Sequence, residues 1–380
     1  MIIGVLKEPS FETRASLIPE HIAILKKWKV DVIVENNAGV KAFAANDKYT
    51  EAGATMGSRE EVMNAADIIL TINDPLQTDI AVFRKKILVG IFQPLFTPGL
   101  MEALATAGAT VFSIDMIPRT TRAQSMDVLS SQANIAGYKA VLAAANIFPK
   151  YFPMFMTAAG SIPPAKLLIL GAGVAGLQAI ATGRRLGAVV EVFDTRPAVK
   201  EEVMSLGAKF IEVEGAADSG KAGGYAVEQT EDFMQRQQAR IAEHVAKADI
   251  IITTAQIPGK KAPVLITTLM IEAMKNGSVI MDLAASTGGN TELTKNDETV
   301  VHQGVSIVGN SRLAASMPSD ASKLYGKNIL NFIRLLIDNE GNLIVDFKDD
   351  LVKGSCMVHD GQIINERVQA VLKEVVNKTT

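Results

Sequence analysis

The segment Lys166–Arg196 constrains this chain more than any other. A short apolar run, Lys166–Leu170, leads into Gly171-Ala172-Gly173-Val174-Ala175-Gly176. A helix-forming run follows to Leu186, Gly187 stops it, and a second apolar run, Val189–Asp194, ends in an acid. A lone GxGxxG is weak. A full strand–turn–helix–strand unit with an acid 18 positions beyond the last glycine is the dinucleotide-binding pattern.

The backbone supplies the chemistry. Gly171 permits the tight turn, and Gly173, between Ala172 and Val174, lets the main chain approach a pyrophosphate without a Cβ. Gly176 lets the helix pack closely on the sheet. The pyrophosphate then sits at a helix N-terminus, where free N–H groups and the helix dipole favour an anion. Asp194, followed by Thr195, can accept hydrogen bonds from ribose hydroxyls and would repel a 2′-phosphate. Arg196 could host that phosphate, but Asp194 outweighs it, so the expected ligand is NAD(H) rather than NADP(H).

The flanking pattern extends the α/β reading to two Rossmann-like parallel-sheet domains, the first flavodoxin-like and the second carrying the glycine motif. Expected strands in the first are Ile2–Lys7, Val30–Glu35, Ile68–Ile72, Ile87–Phe92 and Thr110–Ile114, with helices at Pro19–Trp28 and Ala103–Ala107. In the second they are Lys166–Leu170, Val189–Asp194, Lys209–Val213, Ile250–Thr253, Ser278–Asp282 and Val305–Val308. Their near-continuous apolar runs suit strands covered on both faces. Linking helices near 130–147 and 328–336 divide the chain into 1–129 plus 337–380 and 130–336. The Gly/Ala/Ser-rich stretch Ala216–Tyr225, before the helix expected at Glu228–Ala246, reads as a lid. Met154 and Met156 read as packing between domains.

Composition narrows the class. A net charge of −3 leaves no basic excess for nucleic acid, and Lys26–Lys27 and Lys85–Lys86 read as solvated ends. The single cysteine, Cys356, excludes an intrachain disulfide and fits a reducing compartment. Four scattered histidines give no metal-ligand spacing, so no metal is expected. The start lacks a secretory pattern and no apolar run is long enough to span a bilayer, so the chain is expected in the cytoplasm.

Beyond the glycine motif, several blocks carry a resemblance. They are Arg119-Thr-Thr-Arg-Ala-Gln124-Ser-Met-Asp127-Val-Leu-Ser130-Ser-Gln-Ala-Asn, Met156-Thr-Ala-Ala-Gly-Ser-Ile-Pro-Pro-Ala-Lys and Asp194-Thr-Arg196. With them go Gly223-Gly-Tyr225-Ala, Thr253-Thr-Ala-Gln256-Ile-Pro-Gly259, Asp282-Leu-Ala, Gly288-Gly-Asn290 and Lys327-Asn-Ile-Leu-Asn-Phe332. Over essentially its whole length the chain resembles the NAD(H)-binding peripheral component of proton-translocating nicotinamide nucleotide transhydrogenases.

The resemblance implies that Arg119, Gln124, Ser125, Met126 and Asp127 form a loop beside the nicotinamide. In it, Asp127 and Ser130 would bond the carboxamide, Arg119 would add charge, and Gln124 would reach toward the partner's nucleotide. Gly224 and Tyr225 would belong to the lid, and Gln237 and Gln256 would line the cofactor cleft. It also implies a homodimer, NADP(H) on a separate component, and membrane-spanning partner subunits that hold this chain at the inner face of the cell membrane.

Alanine dehydrogenases share the fold, with a lysine and a histidine that bind the keto acid and handle its proton. The corresponding positions here are Thr71 and Phe92, and neither titrates. Oxidising an amine releases a proton with the hydride and needs a base. Hydride exchange between two nicotinamides needs only positioning. Some transhydrogenase relatives keep the lysine and histidine, so their loss counts against the dehydrogenase and leaves transhydrogenation untouched. The other alternative is a non-catalytic NAD-binding regulator, against which the intact Arg119–Ser130 block counts. A second departure is Ser316, where the family often has arginine.

Overall fold

A computed structural model describes residues 1–75, 80–213 and 231–379. The chain opens with strand β1 (Ile2–Val5), helix α1 (Pro19–Lys27), β2 (Asp31–Glu35), α2 (Asn46–Glu51), β3 (Thr55–Gly57) and α3 (Arg59–Ala65). It continues through β4 (Ile68–Leu70), β5 (Ile87–Gly90), α4 (Pro98–Thr106) and β6 (Thr110–Ser113). A 3-10 turn, Thr121–Met126, leads into the 20-residue helix α5 (Val128–Ile147).

A short hairpin, β7 (Phe155–Thr157) and β8 (Gly160–Ile162), precedes β9 (Lys166–Leu170) and α6 (Val174–Arg185). Next come β10 (Val189–Phe193), α7 (Lys200–Ser205), β11 (Lys209–Phe210), α8 (Glu231–Val245) and β12 (Ile250–Thr253). Then follow α9 (Thr268–Glu272), β13 (Val279–Asp282), β14 (Thr299–His302) and β15 (Val305–Val308). The chain closes with α10 (Pro318–Ile333), α11 (Asp350–Ser355), β16 (Cys356–His359), β17 (Gln362–Ile363) and α12 (Glu366–Thr379).

Two compact units result: Met1–Gln132 with Ala315–Thr380, and Ala133–Ala314. The return to the first unit thus falls at Ala315, before α10, where the sequence reading places it after residue 336. The first sheet has the order β17-β16-β6-β5-β4-β1-β2-β3 and the second β11-β10-β9-β12-β13-β15-β14. β1 to β6 run parallel, and so do β9 to β13 with β15; β14, β16 and β17 pair antiparallel at the edges. In each sheet the strand order reverses beside the first strand, between β1 and β4 and between β9 and β12. These are the topological switch points of doubly wound sheets.

The continuous apolar runs are explained by alternation. Leu167 and Ile169 enter the core on one face of the second sheet, Leu168 and Leu170 that on the other. Ile68 and Leu70 likewise part from Ile69 in the first sheet.

Several elements depart from the sequence reading. α4 begins at Pro98 rather than Ala103, and α10 at Pro318 rather than Asn328, each with proline in its first turn. β3, β14, β16, β17 and the hairpin are not in the expected strand set, being two to four residues long. Met154 and Met156 lie at the hairpin β7–β8, 62% and 73% accessible. The stretch read as a lid, with Gly224 and Tyr225, lies outside the described residues.

Candidate nucleotide site

The glycine turn sits at the carboxyl end of β9, in the second unit. Gly171 has φ +108°, a conformation that favours glycine, and an added Cβ would lie 2.3 Å from Thr254 Oγ1. A Cβ on Gly176 would meet the Gly171 carbonyl oxygen at 1.9 Å, so the helix rests directly on the turn. A Cβ on Gly173 would meet nothing within 4 Å. The turn is therefore crowded behind and open in front. Gly173 caps α6 with extended backbone, and the first N–H groups of the helix have no helical carbonyl to bond.

Asp194, just beyond β10, is tied to this turn. Ala172 N–H donates to its Oδ2 at 2.7 Å. Arg196 folds back on the same carboxylate: its backbone N–H and Nε donate to Oδ1 at 2.8 and 2.9 Å, and Nη2 to Oδ2 at 2.7 Å. The pair is largely buried and holds the Arg196 guanidinium above its ordinary pKa. A carboxylate has about four acceptor positions, and these bonds occupy them. A ribose hydroxyl reaching Asp194 must therefore displace one of these bonds, three of which come from Arg196. Thr195 is half-buried between them.

Two further residues organise the carboxyl ends of the same sheet's strands without standing in the sequence-derived set. Thr254 hydroxyl donates to the Gly171 carbonyl at 3.1 Å. Fully buried Asn290 brackets Ala255, accepting from its N–H at 3.0 Å and donating to its carbonyl at 2.8 Å, while its own N–H donates to Asp282 at 2.6 Å. Both lie within the blocks quoted above. The signal was present in sequence, but its geometry was not. Gln256 is exposed and donates to the Leu283 carbonyl at 3.1 Å; Gln237 is half-buried on α8.

Arg119, Gln124, Ser125, Met126, Asp127 and Ser130 lie in the first unit. Arg119, Gln124 and Ser125 are exposed, whereas Met126 is buried in the core. Asp127 is half-buried and caps α5: Ser130 N–H donates to Oδ1 at 2.9 Å and Ser130 hydroxyl to Oδ2 at 2.6 Å. The two side chains are thus already bonded to each other.

At the switch point of the first sheet a different arrangement fills the strand ends. Glu8, 7% exposed, accepts from Ile72 N–H at 2.6 Å, Asn73 N–H at 3.1 Å and Asn73 Nδ2 at 2.9 Å. Burial raises its pKa against the pull of those bonds. Thr71 is within 3.1 Å of Glu8 and donates to the Asn73 carbonyl at 2.5 Å; Phe92 is buried in the core. Neither Thr71 nor Phe92 can serve as a general base.

A family model described as Alanine dehydrogenase/PNT, N-terminal domain, matches residues 4–136, and the corresponding C-terminal domain model matches 140–366. NAD(P) transhydrogenase subunit alpha of Haemophilus influenzae is 43% identical over 96% of this chain and 72% of its own length. NAD(P) transhydrogenase subunit alpha of Cereibacter sphaeroides is 42% identical, over 93% of this chain and 68% of its own. The crystal structure of transhydrogenase from Sinorhizobium meliloti matches with a TM-score of 0.87 at 42% identity, covering 96% of this chain and all of that one. By contrast, Alanine dehydrogenase 1 of Staphylococcus aureus is 25% identical across 99% of both chains. The chain belongs to the alanine dehydrogenase/PNT family, and within it stands with the NAD(P) transhydrogenase alpha subunits.

Proposed function

We propose that this chain is the NAD(H)-binding subunit of a proton-translocating transhydrogenase, exchanging hydride with NADP(H) held by a partner component. The observation that carries the reading is the turn at Gly171–Gly176, closed behind by Thr254 and its own carbonyl and open at Gly173. That shape fits a pyrophosphate. The backbone N–H groups that begin α6 hold the diphosphate, and Asp194, released by Arg196, accepts from the ribose. The nicotinamide supplies the hydride-carrying carbon; the chain orients it.

Family resemblance assigns the carboxamide to Asp127 and Ser130, with Arg119 and Gln124 on the same loop. A hydride leaves one dihydronicotinamide carbon and joins the oxidised ring of the other nucleotide, so no proton is released at either carbon. Non-titrating Thr71 and Phe92 are consistent with that balance, since no general base is required. Membrane-spanning partner subunits would hold the chain at the cytoplasmic face, and the assembly would contain two copies of it. Among the described residues no helix is long and apolar enough to cross a membrane.

The test mixes the purified chain with a soluble NADP(H)-binding transhydrogenase component. Reduction of an NAD analogue by NADPH is then followed in the presence of NADH. Transfer that requires both proteins supports the reading. Binding of NADH without transfer defeats it. Asp127→Asn should lower transfer far more than NADH affinity, and equal effects on both would remove the loop from the reaction.

A further inference from the structure

We infer that Asn328 and Asn331 are positioning residues that set the Gln124–Asp127 turn through one carbonyl, that of Ser125; the functional half of this inference rests on the proposed hydride exchange. Both lie on α10, three residues apart and hence on one face. Each donates its side-chain Nδ2 to the Ser125 carbonyl oxygen at 2.8 Å. That carbonyl stands near the end of the Thr121–Met126 turn, where helical carbonyls lose their own partners.

A carbonyl oxygen offers two lone-pair directions in the plane of its peptide. Two donors fill both and so fix the plane of the Ser125–Met126 peptide, not merely its position. Because that unit is planar, its rotation sets where the chain enters Met126 and Asp127. Beyond it Met126 is buried in the core, and Asp127 is bonded to Ser130 at the start of α5. Orientation of the peptide is the freedom the asparagines remove.

The amides are aimed at a cost. Asn328 Oδ1 is buried without a partner among the described residues. Turning the amide over would satisfy nothing, because it would set two oxygens face to face. The helix beneath is tied to the rest of the unit: Tyr325 hydroxyl donates to the Thr71 carbonyl at 3.0 Å, and the Ser322 hydroxyl accepts from Ala15 N–H at 2.9 Å. A Cβ on Gly326 would strike the His21 ring at 2.3 Å, so α10 is pressed against α1 there. On the other flank, Arg122 is paired with Asp349 and Asp350, at the start of α11.

The experiment compares Asn331→Ala, Asn328→Ala, the double variant and Asn331→Asp. Amide hydrogen exchange across 121–131 is read without a partner, and hydride transfer and NADH affinity are read with the NADP(H)-binding component. Each alanine variant should speed exchange and slow transfer about five- to tenfold, with NADH affinity within about threefold. The double variant should fall short of the product of the singles, because both act on one acceptor. Asn331→Asp, which sets a carboxylate against the carbonyl, should be worse than Asn331→Ala; a packing role would make it milder. Unchanged exchange overturns the positioning claim. Faster exchange with unchanged transfer keeps the positioning and overturns the loop's role in the reaction, and Asp127→Ala in the same assay should then also be silent.

Discussion

In the first unit Arg14 reaches back to Glu12 across Thr13; in the second, Arg196 reaches back to Asp194 across Thr195. The bonds correspond one for one. The backbone N–H and Nε go to one carboxylate oxygen at 3.0 and 2.9 Å in the first fork and 2.8 and 2.9 Å in the second. Nη2 goes to the other oxygen at 2.7 Å in both. Their surroundings differ. Between β1 and α1 the chain spends Leu6–Ile18, folding Glu8, Glu12 and Arg14 inward so that Glu8 takes the N–H groups of Ile72 and Asn73. Between β9 and α6 it spends only Gly171–Gly173, and no side chain of the turn fills the strand ends. Doubly wound topology provides a crevice in each unit, but the length and Cβ content of one turn decide whether it stays open.

The largest effect should come from closing the open crevice. Gly176→Ala forces a Cβ into the Gly171 carbonyl, and NADH affinity in a fluorescence titration should fall about 100-fold or more. Unchanged affinity in a folded variant would move the pyrophosphate off this turn.

Breaking the two forks should then have unlike results. Arg14→Ala leaves Glu12, 1% exposed, unpaired beside Glu8 and should cost roughly 3–5 kcal/mol of unfolding free energy in denaturant titration. Arg196→Ala belongs at the other end of the scale. It strips the cation from Asp194, which keeps the Ala172 N–H, so discrimination against NADPH should rise by roughly three- to tenfold, with a smaller loss of stability than Arg14→Ala. If Arg196→Ala destabilised as much as Arg14→Ala, both forks would be structural and the contrast would collapse.

Between these lies acid. His21 is buried against α10 and its Nδ1 accepts from Ile18 N–H at 3.1 Å, a bond only the neutral ring can take. Burial lowers its pKa from 6.5 to about 4. A base whose pKa is depressed by folding stabilises fully above its unfolded value. That contribution is lost as pH falls from about 6.5 toward 4, and amounts to about 3 kcal/mol at most. Unfolding of the first unit followed at pH 7 and pH 5 should show the loss, and His21→Gln should flatten it. An equal slope in the variant would assign the acid sensitivity elsewhere.

The second unit was the more legible in sequence, for a physical reason. Glycines 171, 173 and 176, the strand before them and Asp194 after them interact mostly within one local unit, where spacing along the chain is spacing in the fold. The apolar runs of β9, β12 and β13 mark strands covered on both faces without any long-range knowledge. The starts of α4 and α10 were placed too late, at Ala103 and Asn328, although Pro98 and Pro318 mark first turns as Pro19 does for α1. Two- to four-residue edge strands such as β3, β14 and β17 were not readable, since a run that short has no periodicity to measure.

Sequence alone therefore determined the two α/β sheets, the glycine turn with its acid, and the absence of a titrating group at positions 71 and 92. Only the tertiary structure decided that Arg196 already occupies Asp194, that Glu8 seals the first crevice, and that Asn328 and Asn331 converge on Ser125. Those bonds join residues as far as 206 positions apart. Residue types record how many donors and acceptors a chain carries, but which of them meet is set by the packing of whole helices and sheets.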